Sequence, residues 1–143
     1  MSEDPGARGE LFPHGSDIGI RGRGPTPAAA FEAAAGALTR VITDPSLVKP
    51  RDVVEIQVSG EDPEMLFYDW INALVAEMSA RNMLFSRFEV EIANGGLRGR
   101  AFGENVDVRR HRPAVEVKGA TMTCLEVRRE PDGVWLAQCV VDV

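Results

Sequence analysis

The chain has 143 residues and a formal net charge of −6, from 16 basic and 22 acidic side chains. This length suits a single domain, and its charged (27%) and hydrophobic (44%) fractions are ordinary for a soluble globular protein. An acidic chain gains little by neutralising phosphates, which disfavours tight RNA or DNA binding by this chain alone. No apolar run approaches the roughly 20 residues of a membrane helix.

The N-terminal segment is acidic, contains glycine and lacks the hydrophobic core of a secretory signal. We therefore expect residues 1–9 to be a disordered lead-in to one domain spanning residues 10–143, and we expect a cytoplasmic protein. In that compartment Cys124 and Cys139 are expected to remain reduced thiols.

The first half of the chain predicts a strand at residues 18–24, a helix, a strand and a second helix. Thr26 followed by Pro27 is typical of a helix start, and Pro45 stops that helix. Alternation around Ile56 predicts the next strand. Asp62 and Pro63 repeat the start signal, and a wide apolar face extends to about Arg81.

The second half predicts antiparallel hairpins. Alternating apolar residues at 84–92 lead into Asn94-Gly95-Gly96, which is typical of a tight turn, and the return strand covers 97–102. A polar loop is expected at 103–113, and its basic run at 109–112 is expected to be solvated. A last hairpin has arms at about 119–129 and 134–143. This order predicts an α+β fold, with antiparallel sheet covered on one face by two helices.

Oxygen ligands for a hard cation are available at both ends of the domain. Asp17, Asp142 and the terminal carboxylate of Val143 are donors that calcium or magnesium prefers. The alternative is that Asp142 lies in a fraying end, that Asp17 accepts a bond from a neighbouring backbone N–H, and that His14 caps a turn. Spacing alone does not bring Asp17 beside Asp142, so both interpretations stay open.

Other chemistries lack their motifs. Neither Gly22-Arg23-Gly24 nor Asn94-Gly95-Gly96 completes a phosphate-binding or dinucleotide-binding pattern. The chain has no serine nucleophile elbow. The histidines and cysteines show none of the usual paired spacings of a zinc site.

Several motifs together resemble the archease family over nearly the whole chain, from Phe12 to Val143. They are Pro13-His14 with Asp17-Ile18-Gly19-Ile20; Thr43-Asp44 with Ser46, Val48 and Pro50; Gly60-Glu61-Asp62 with Leu66, Tyr68, Trp70 and Asn72; Phe85-Ser86-Arg87-Phe88; Gly103-Glu104 with Asp107 and His111; Val117-Lys118 with Thr121; and Val140-Val141-Asp142-Val143.

The resemblance implies a small α+β accessory protein, not an enzyme, that stimulates an RtcB-type RNA ligase in tRNA splicing and RNA repair. In that family the accessory protein promotes guanylylation of the ligase histidine and permits repeated turnover. It also implies a divalent-metal site at Asp17, Asp142 and Val143, with calcium as the expected ion and magnesium or manganese as alternatives. Function-supporting neighbours are implied at four motif positions: His14, Glu104, Asp107 and Lys118.

The sequence departs from the family pattern at two places. Gly15-Ser16 replaces the commoner Thr-Ala, and Met122-Thr123 stands where many members have an aromatic residue followed by His. A proton-transfer role for that His therefore does not carry over. The alternative functions are a small metal-dependent hydrolase or nucleotidyl-transfer enzyme, and a general chaperone of nucleic-acid-processing enzymes.

Overall fold

Eight strands and three helices make up the part of the chain, residues 7–143, that the computed structural model describes. The strands are β1 (Arg8–His14), β2 (Asp17–Gly24), β3 (Asp52–Ser59), β4 (Met83–Ala93), β5 (Gly96–Asn105), β6 (Gly119–Ala120), β7 (Glu126–Arg129) and β8 (Trp135–Asp142). The helices are α1 (Pro27–Ile42), α2 (Pro63–Arg81) and α3 (Val108–His111), with a 3-10 turn at Pro45–Leu47.

All strand pairs are antiparallel and form two sheets. The larger, five-stranded sheet has the order β1-β2-β8-β6, and β7 also pairs with β8. The smaller, three-stranded sheet has the order β3-β5-β4. Helix α1 packs on β1, β2 and β8 and also contacts β4, whereas α2 packs on β3, β4, β5, β6 and β7. The α+β fold with sheets covered by two long helices is therefore confirmed.

The predicted helix ends are confirmed. Thr26 caps α1 by accepting a hydrogen bond from the backbone N–H of Ala29, and Asp62 caps α2 in the same way through Glu64. Helix α2 ends at Asn82, whose left-handed backbone has a φ of 52°. Capping side chains satisfy N–H groups that have no partner inside the helix, which is why these sequence signals locate the ends well.

One core joins both sheets and both long helices. Trp70 of α2 is completely buried, and its indole Nε1–H donates to the backbone carbonyl of Phe31 in α1 at 3.2 Å. Phe31 also meets Phe67 edge-on, with ring centroids 5.1 Å apart. Phe67 and Trp70, on the wide apolar face predicted for the second helix, are therefore core residues.

The sequence pattern does not predict β1, and the strand begins inside the expected lead-in. Residues 1–6 lie outside the described range, but Arg8 and Gly9 belong to β1. Pro13 and the lack of alternation make this strand difficult to recognise from the sequence. Proline is nevertheless tolerated here because β1 is an edge strand, where the missing N–H faces solvent. Gly9 lets β1 lie against α1, since a Cβ there would be 2.5 Å from the carbonyl oxygen of Ala33.

Two further features differ from expectation. The alternation of β4 is interrupted by an irregular register between Phe85 and Arg87, typical of a β-bulge. The expected polar loop at 103–113 instead contains the end of β5 and the short helix α3. The prediction of a solvated basic run is wrong at His111, which is completely buried.

Candidate functional site

The tip of the β1–β2 hairpin carries His14 and Asp17 as a directly opposed pair. The turn between them is Gly15-Ser16, and Gly15 adopts a φ of +60°, which favours glycine. His14 is exposed and Asp17 is half-buried. Within residues 7–143 the Asp17 carboxylate has no hydrogen-bonding or ionic partner, so the expected bond to a neighbouring backbone N–H is not formed there.

Strand β8 places Asp142 next to Asp17. Pairs between β2 and β8 run up to Ile18 opposite Val141, and continuing that register by one position places Asp17 opposite Asp142. Side chains opposed in this way have Cβ atoms about 5 Å apart and lie on the same face. The Asp142 carboxylate likewise has no partner in the described part of the chain. We call Asp17, Asp142 and Val143 the acidic end.

Lys118 approaches the acidic end through its backbone. Its N–H donates to the carbonyl oxygen of Asp142 at 2.8 Å, and the next residue, Gly119, pairs with Asp142 in β6. Asn72 of α2 fixes the same segment by accepting the N–H of Ala120 at 2.9 Å. The Lys118 side chain is exposed and forms no ion pair with any described residue.

The donor set of the acidic end fits a hard divalent cation. Two opposed carboxylates without partners repel one another, and a cation between them would remove that repulsion. Their oxygens are the ligands that calcium and magnesium prefer. Across residues 7–143, no three or more His, Cys, Asp or Glu side chains form a group able to hold a metal ion. Beyond the carboxylates of Asp17 and Asp142, further ligands would therefore have to be oxygens other than such side chains.

Glu104 and Asp107 belong to a different cluster, at the end of β5. Glu104 is only 6% exposed. Its Oε2 atom accepts hydrogen bonds from Arg110 at 2.6 Å and from the backbone N–H of Lys49 at 2.8 Å. His111 Nε2 lies 2.9 Å from the same oxygen. Within residues 7–143, no hydrogen bond or ion pair joins this buried carboxylate cluster (Glu104, Arg110 and His111) to Asp17 or Asp142.

The contacts of His111 assign its neutral tautomer. Its Nδ1 accepts the backbone N–H of Asp107 at 2.9 Å, so the ring proton belongs on Nε2, from which it is donated to Glu104. Asp107 in turn caps α3 by accepting the N–H groups of Arg109 and Arg110. The hydroxyl of Thr43 donates to the backbone carbonyl of His111 and ties the cluster to the end of α1.

Hydrogen bonding dominates the electrostatics of this cluster. The bond from Arg110 holds the pKa of the Glu104 carboxyl well below its usual range, against the opposing effect of burial, with further lowering by Lys49 and His111. Each buried polar atom therefore has a partner, which is the arrangement of a structural network. His111 is one of the family motif positions, but its burial and its bond to Glu104 are not predicted by the sequence pattern; the local signal is its spacing from Asp107, a capping residue four positions earlier.

The two cysteines differ in burial. Cys124 is exposed and Cys139 is buried, and both are free thiols, as expected. Burial raises the pKa of the Cys139 thiol to about 12. The thiolate is the reactive form of cysteine, and burial disfavours that form at Cys139.

A concave region of about 550 Å³ lies on the smaller sheet, away from the acidic end. Outward-facing residues of its three strands, such as Glu55, Arg100 and Glu89, line it. These three are directly opposed across the strands, and Arg100 pairs with Glu55 at 3.7 Å. The region contains none of the residues that the sequence singled out, and alternating charges of this kind are typical of a solvated sheet face.

A model of the Archease protein family (MTH1598/TM1083) matches residues 10–143. The chain belongs to the archease family. Protein archease of Pyrococcus abyssi is 39% identical over 140 residues, covering 95% of this chain and 99% of that relative. Protein archease of Sulfurisphaera tokodaii is 40% identical over 137 residues, covering 94% and 97% respectively.

Solved structures agree with this archease assignment. The solution structure of Methanobacterium thermoautotrophicum protein 1598 has a TM-score of 0.81 and 32% identity, covering 94% of this chain and 98% of that one. The crystal structure of an archease, possible chaperone, from Thermotoga maritima has a TM-score of 0.61 over 94% and 96%, and at 19% identity it shows the fold alone. No helix in the described part of this archease is long and apolar enough to span a membrane.

Proposed function

We propose that this archease is a cytoplasmic activator of an RtcB-type RNA ligase in tRNA splicing and RNA repair. It promotes guanylylation of the ligase histidine and repeated turnover, and has no turnover of its own. The acidic end acts through a divalent cation, calcium first and magnesium or manganese as alternatives, held by Asp17, Asp142 and the carboxylate of Val143. His14 and Lys118 flank that site.

The observation that carries this proposal is the pairing of two carboxylates without partners at the end of the larger sheet. Asp17 and Asp142 lie at opposed positions of the continued β2–β8 register, where like charges are unfavourable, and the described part of the chain supplies no cation to either. Elsewhere the protein pairs its buried carboxylate, Glu104, fully. An arrangement that is costly for folding and chemically suited to a ligand supports a functional role.

The chain's own residues then have separate tasks. Asp17 and Asp142 supply anionic oxygens on one face, and the backbone bond from Lys118 to Asp142 holds the end of β8 in place. When bound, a divalent cation supplies a positive centre that neutralises the carboxylates and attracts anionic oxygens. The net charge of −6 suits a protein that leaves the RNA and the nucleotide to its partner.

A ligation assay with limiting RtcB-type ligase tests the proposal. Ligated RNA and guanylylated ligase are measured with GTP, with and without this protein. We expect the parent protein to raise both, and Asp17→Ala or Asp142→Ala to reduce stimulation by about 10-fold or more. Asp52→Ala is the matched control, since Asp52 is an exposed aspartate at the end of a strand of the smaller sheet, and it should stimulate normally.

Each alternative has its own outcome in this assay. Hydrolysis of GTP or ligation by this protein without ligase would indicate an enzyme. Equal stimulation of unrelated nucleic-acid-processing enzymes would indicate a general chaperone. Absence of stimulation, or full stimulation by Asp142→Ala, would overturn the proposal.

A further inference from the structure

The aromatic ring of Phe12 lies flat across the backbone of Gly19. The two residues are directly opposed in the β1–β2 pair. A Cβ at Gly19 would lie only 2.1–2.3 Å from three carbon atoms of the Phe12 ring, so any side chain there would displace the ring. Glycine in the middle of a strand often marks such a close approach, and here it makes room for the ring.

Arg21 closes the other side of the ring. Its guanidinium carbon lies 4.5 Å from the centroid of Phe12, within the range of a cation–π contact. The guanidinium is held there by Gln138 of β8, which accepts from Nε at 2.9 Å, and by Glu10 of β1 at 3.5 Å. The ring is thus clamped between a glycine backbone and an arginine that is anchored on both neighbouring strands.

This stack lies one row of residues away from the acidic end. Residues two apart in a strand share a face, so Phe12 lies on the same face as His14, and Gly19 on the same face as Asp17. Val140 of β8 pairs with Gly19 and is only 2% exposed. In the row next to the acidic carboxylates, Gly19 and Val140 are therefore both buried.

Apart from the pairing of its strand, few contacts fix the position of Asp17. It is the first residue of β2, it follows a two-residue turn, and its side chain has no partner among residues 7–143. On one side it is paired only to β1, an edge strand whose one strand partner among residues 7–143 is β2 and which also packs on α1. Anything that fixes the end of β1 on β2 therefore also fixes the direction in which Asp17 presents its carboxylate.

We propose that Phe12, clamped between Gly19 and Arg21, is a positioning residue that holds Asp17 opposite Asp142 for cation binding. This inference rests on the metal site of the proposed function. A purely structural role for the stack would lower stability without changing the affinity of the acidic end, so the test separates these two quantities.

Calcium affinity of the purified protein is the first measurement, by isothermal titration calorimetry with calcium alone. Phe12→Ala should weaken binding by about 10-fold or more, the usual effect of removing a group that orients a metal ligand. Phe12→Tyr keeps the ring and should bind like the parent. Leu11→Ala is the matched control, because Leu11 is the neighbouring residue of β1, faces away from the stack and is 39% exposed; it should change affinity less than about 2-fold.

A double-mutant cycle tests the clamp itself. Gly19→Ala alone should weaken calcium binding, because its methyl group displaces the Phe12 ring. In the Phe12→Ala background the same substitution should have no further effect, since the ring it collides with is gone. Additive losses would overturn the clamp. If Phe12→Ala does not fold, Phe12→Leu replaces it in the cycle.

Hydrogen–deuterium exchange of the metal-free protein provides a measurement that does not need the cation. Phe12→Ala should speed exchange in the peptide covering residues 12–19 and leave the β3–β5 pair unchanged; Leu11→Ala should not. Unchanged exchange there would overturn the positioning role even if calcium binds. If the parent binds neither calcium, magnesium nor manganese, the metal site fails and the role stated for Phe12 fails with it, while the exchange data still show whether the ring holds the hairpin tip.

Discussion

The buried carboxylate cluster and the acidic end use the same kind of side chain in opposite ways. Glu104 is 6% exposed and accepts bonds from Arg110, His111 and the backbone of Lys49. Asp17 and Asp142 are more exposed, lie side by side in adjacent strands and have no partner in the described chain. The first arrangement ties β5, α3 and the end of α1 together, whereas the second places two carboxylates at opposed positions of the continued β2–β8 register.

The difference separates a carboxylate that stabilises the fold from two that form no bond within residues 7–143. A buried, fully bonded carboxylate is stable only with its partners, so its removal damages the fold. Opposed carboxylates without partners contribute nothing favourable until a cation arrives. We therefore interpret Glu104, which the family resemblance places among the function-supporting residues, as a residue that supports function through the fold.

The largest effect should follow from Glu104→Gln. Glutamine leaves Arg110 without its carboxylate, and we expect a loss of about 3 kcal/mol in the free energy of unfolding, the lower end for breaking a buried ion pair. The lower end applies because the Arg110 side chain is 38% exposed. Chemical denaturation measures this, and the calcium affinity of the folded variant should match the parent.

Glu55→Gln is the control for that substitution. Glu55 pairs with Arg100 at 3.7 Å, but its side chain is 76% exposed, so the loss should stay below about 1 kcal/mol. A denaturation midpoint for Glu104→Gln that matches the parent would contradict the structural role of the cluster. So would normal stability combined with lost calcium binding.

A smaller effect is expected from pH on the same pair of proteins. The pKa of Glu104 is lowered in the folded state from its ordinary 4.5. Its contribution to stability is therefore complete above that value and is lost as pH falls towards the folded pKa. The difference in unfolding free energy between the parent and Glu104→Gln should be constant from neutrality to about pH 6 and shrink by about pH 3. A difference that stays constant down to acid pH would show that charge is not what Glu104 supplies.

Local signals explain why so much of the fold could be predicted. Thr26, Asp62 and Asn82 act on their own helices, and Asn94-Gly95 forms the turn between β4 and β5, so neighbouring residues suffice to locate these features. The edge strand β1 could not be predicted, because its stability comes from pairing with β2 and packing on α1. Edge strands owe little to their own residue preferences.

The site depends on contacts that no local pattern contains. Asp17 and Asp142 come together only through the register of β2 on β8, which joins opposite ends of the chain; the family resemblance, not the spacing, predicted their association. In the sequence, the arginines on both sides of His111 give no indication that its ring is buried. Its ring is buried because Glu104, seven residues earlier, and the backbone of Asp107 both bond to it.

The smallest effect, and the most direct test of the acidic end, is expected from Asp142→Asn. In metal-free buffer the substitution removes a like-charge contact with Asp17, so it should be neutral or stabilising by about 0.2–1 kcal/mol. With calcium present the parent gains stability by binding the ion in its folded state only, and the variant should gain less and become the less stable of the two. Thermal melts of both proteins, with calcium and with chelator, measure the reversal. Asp52→Asn, at the end of a strand in the smaller sheet, should respond to calcium as the parent does. Parallel shifts of the parent and Asp142→Asn would mean that Asp142 holds no cation, and the unpaired carboxylates would then be an ordinary strand end.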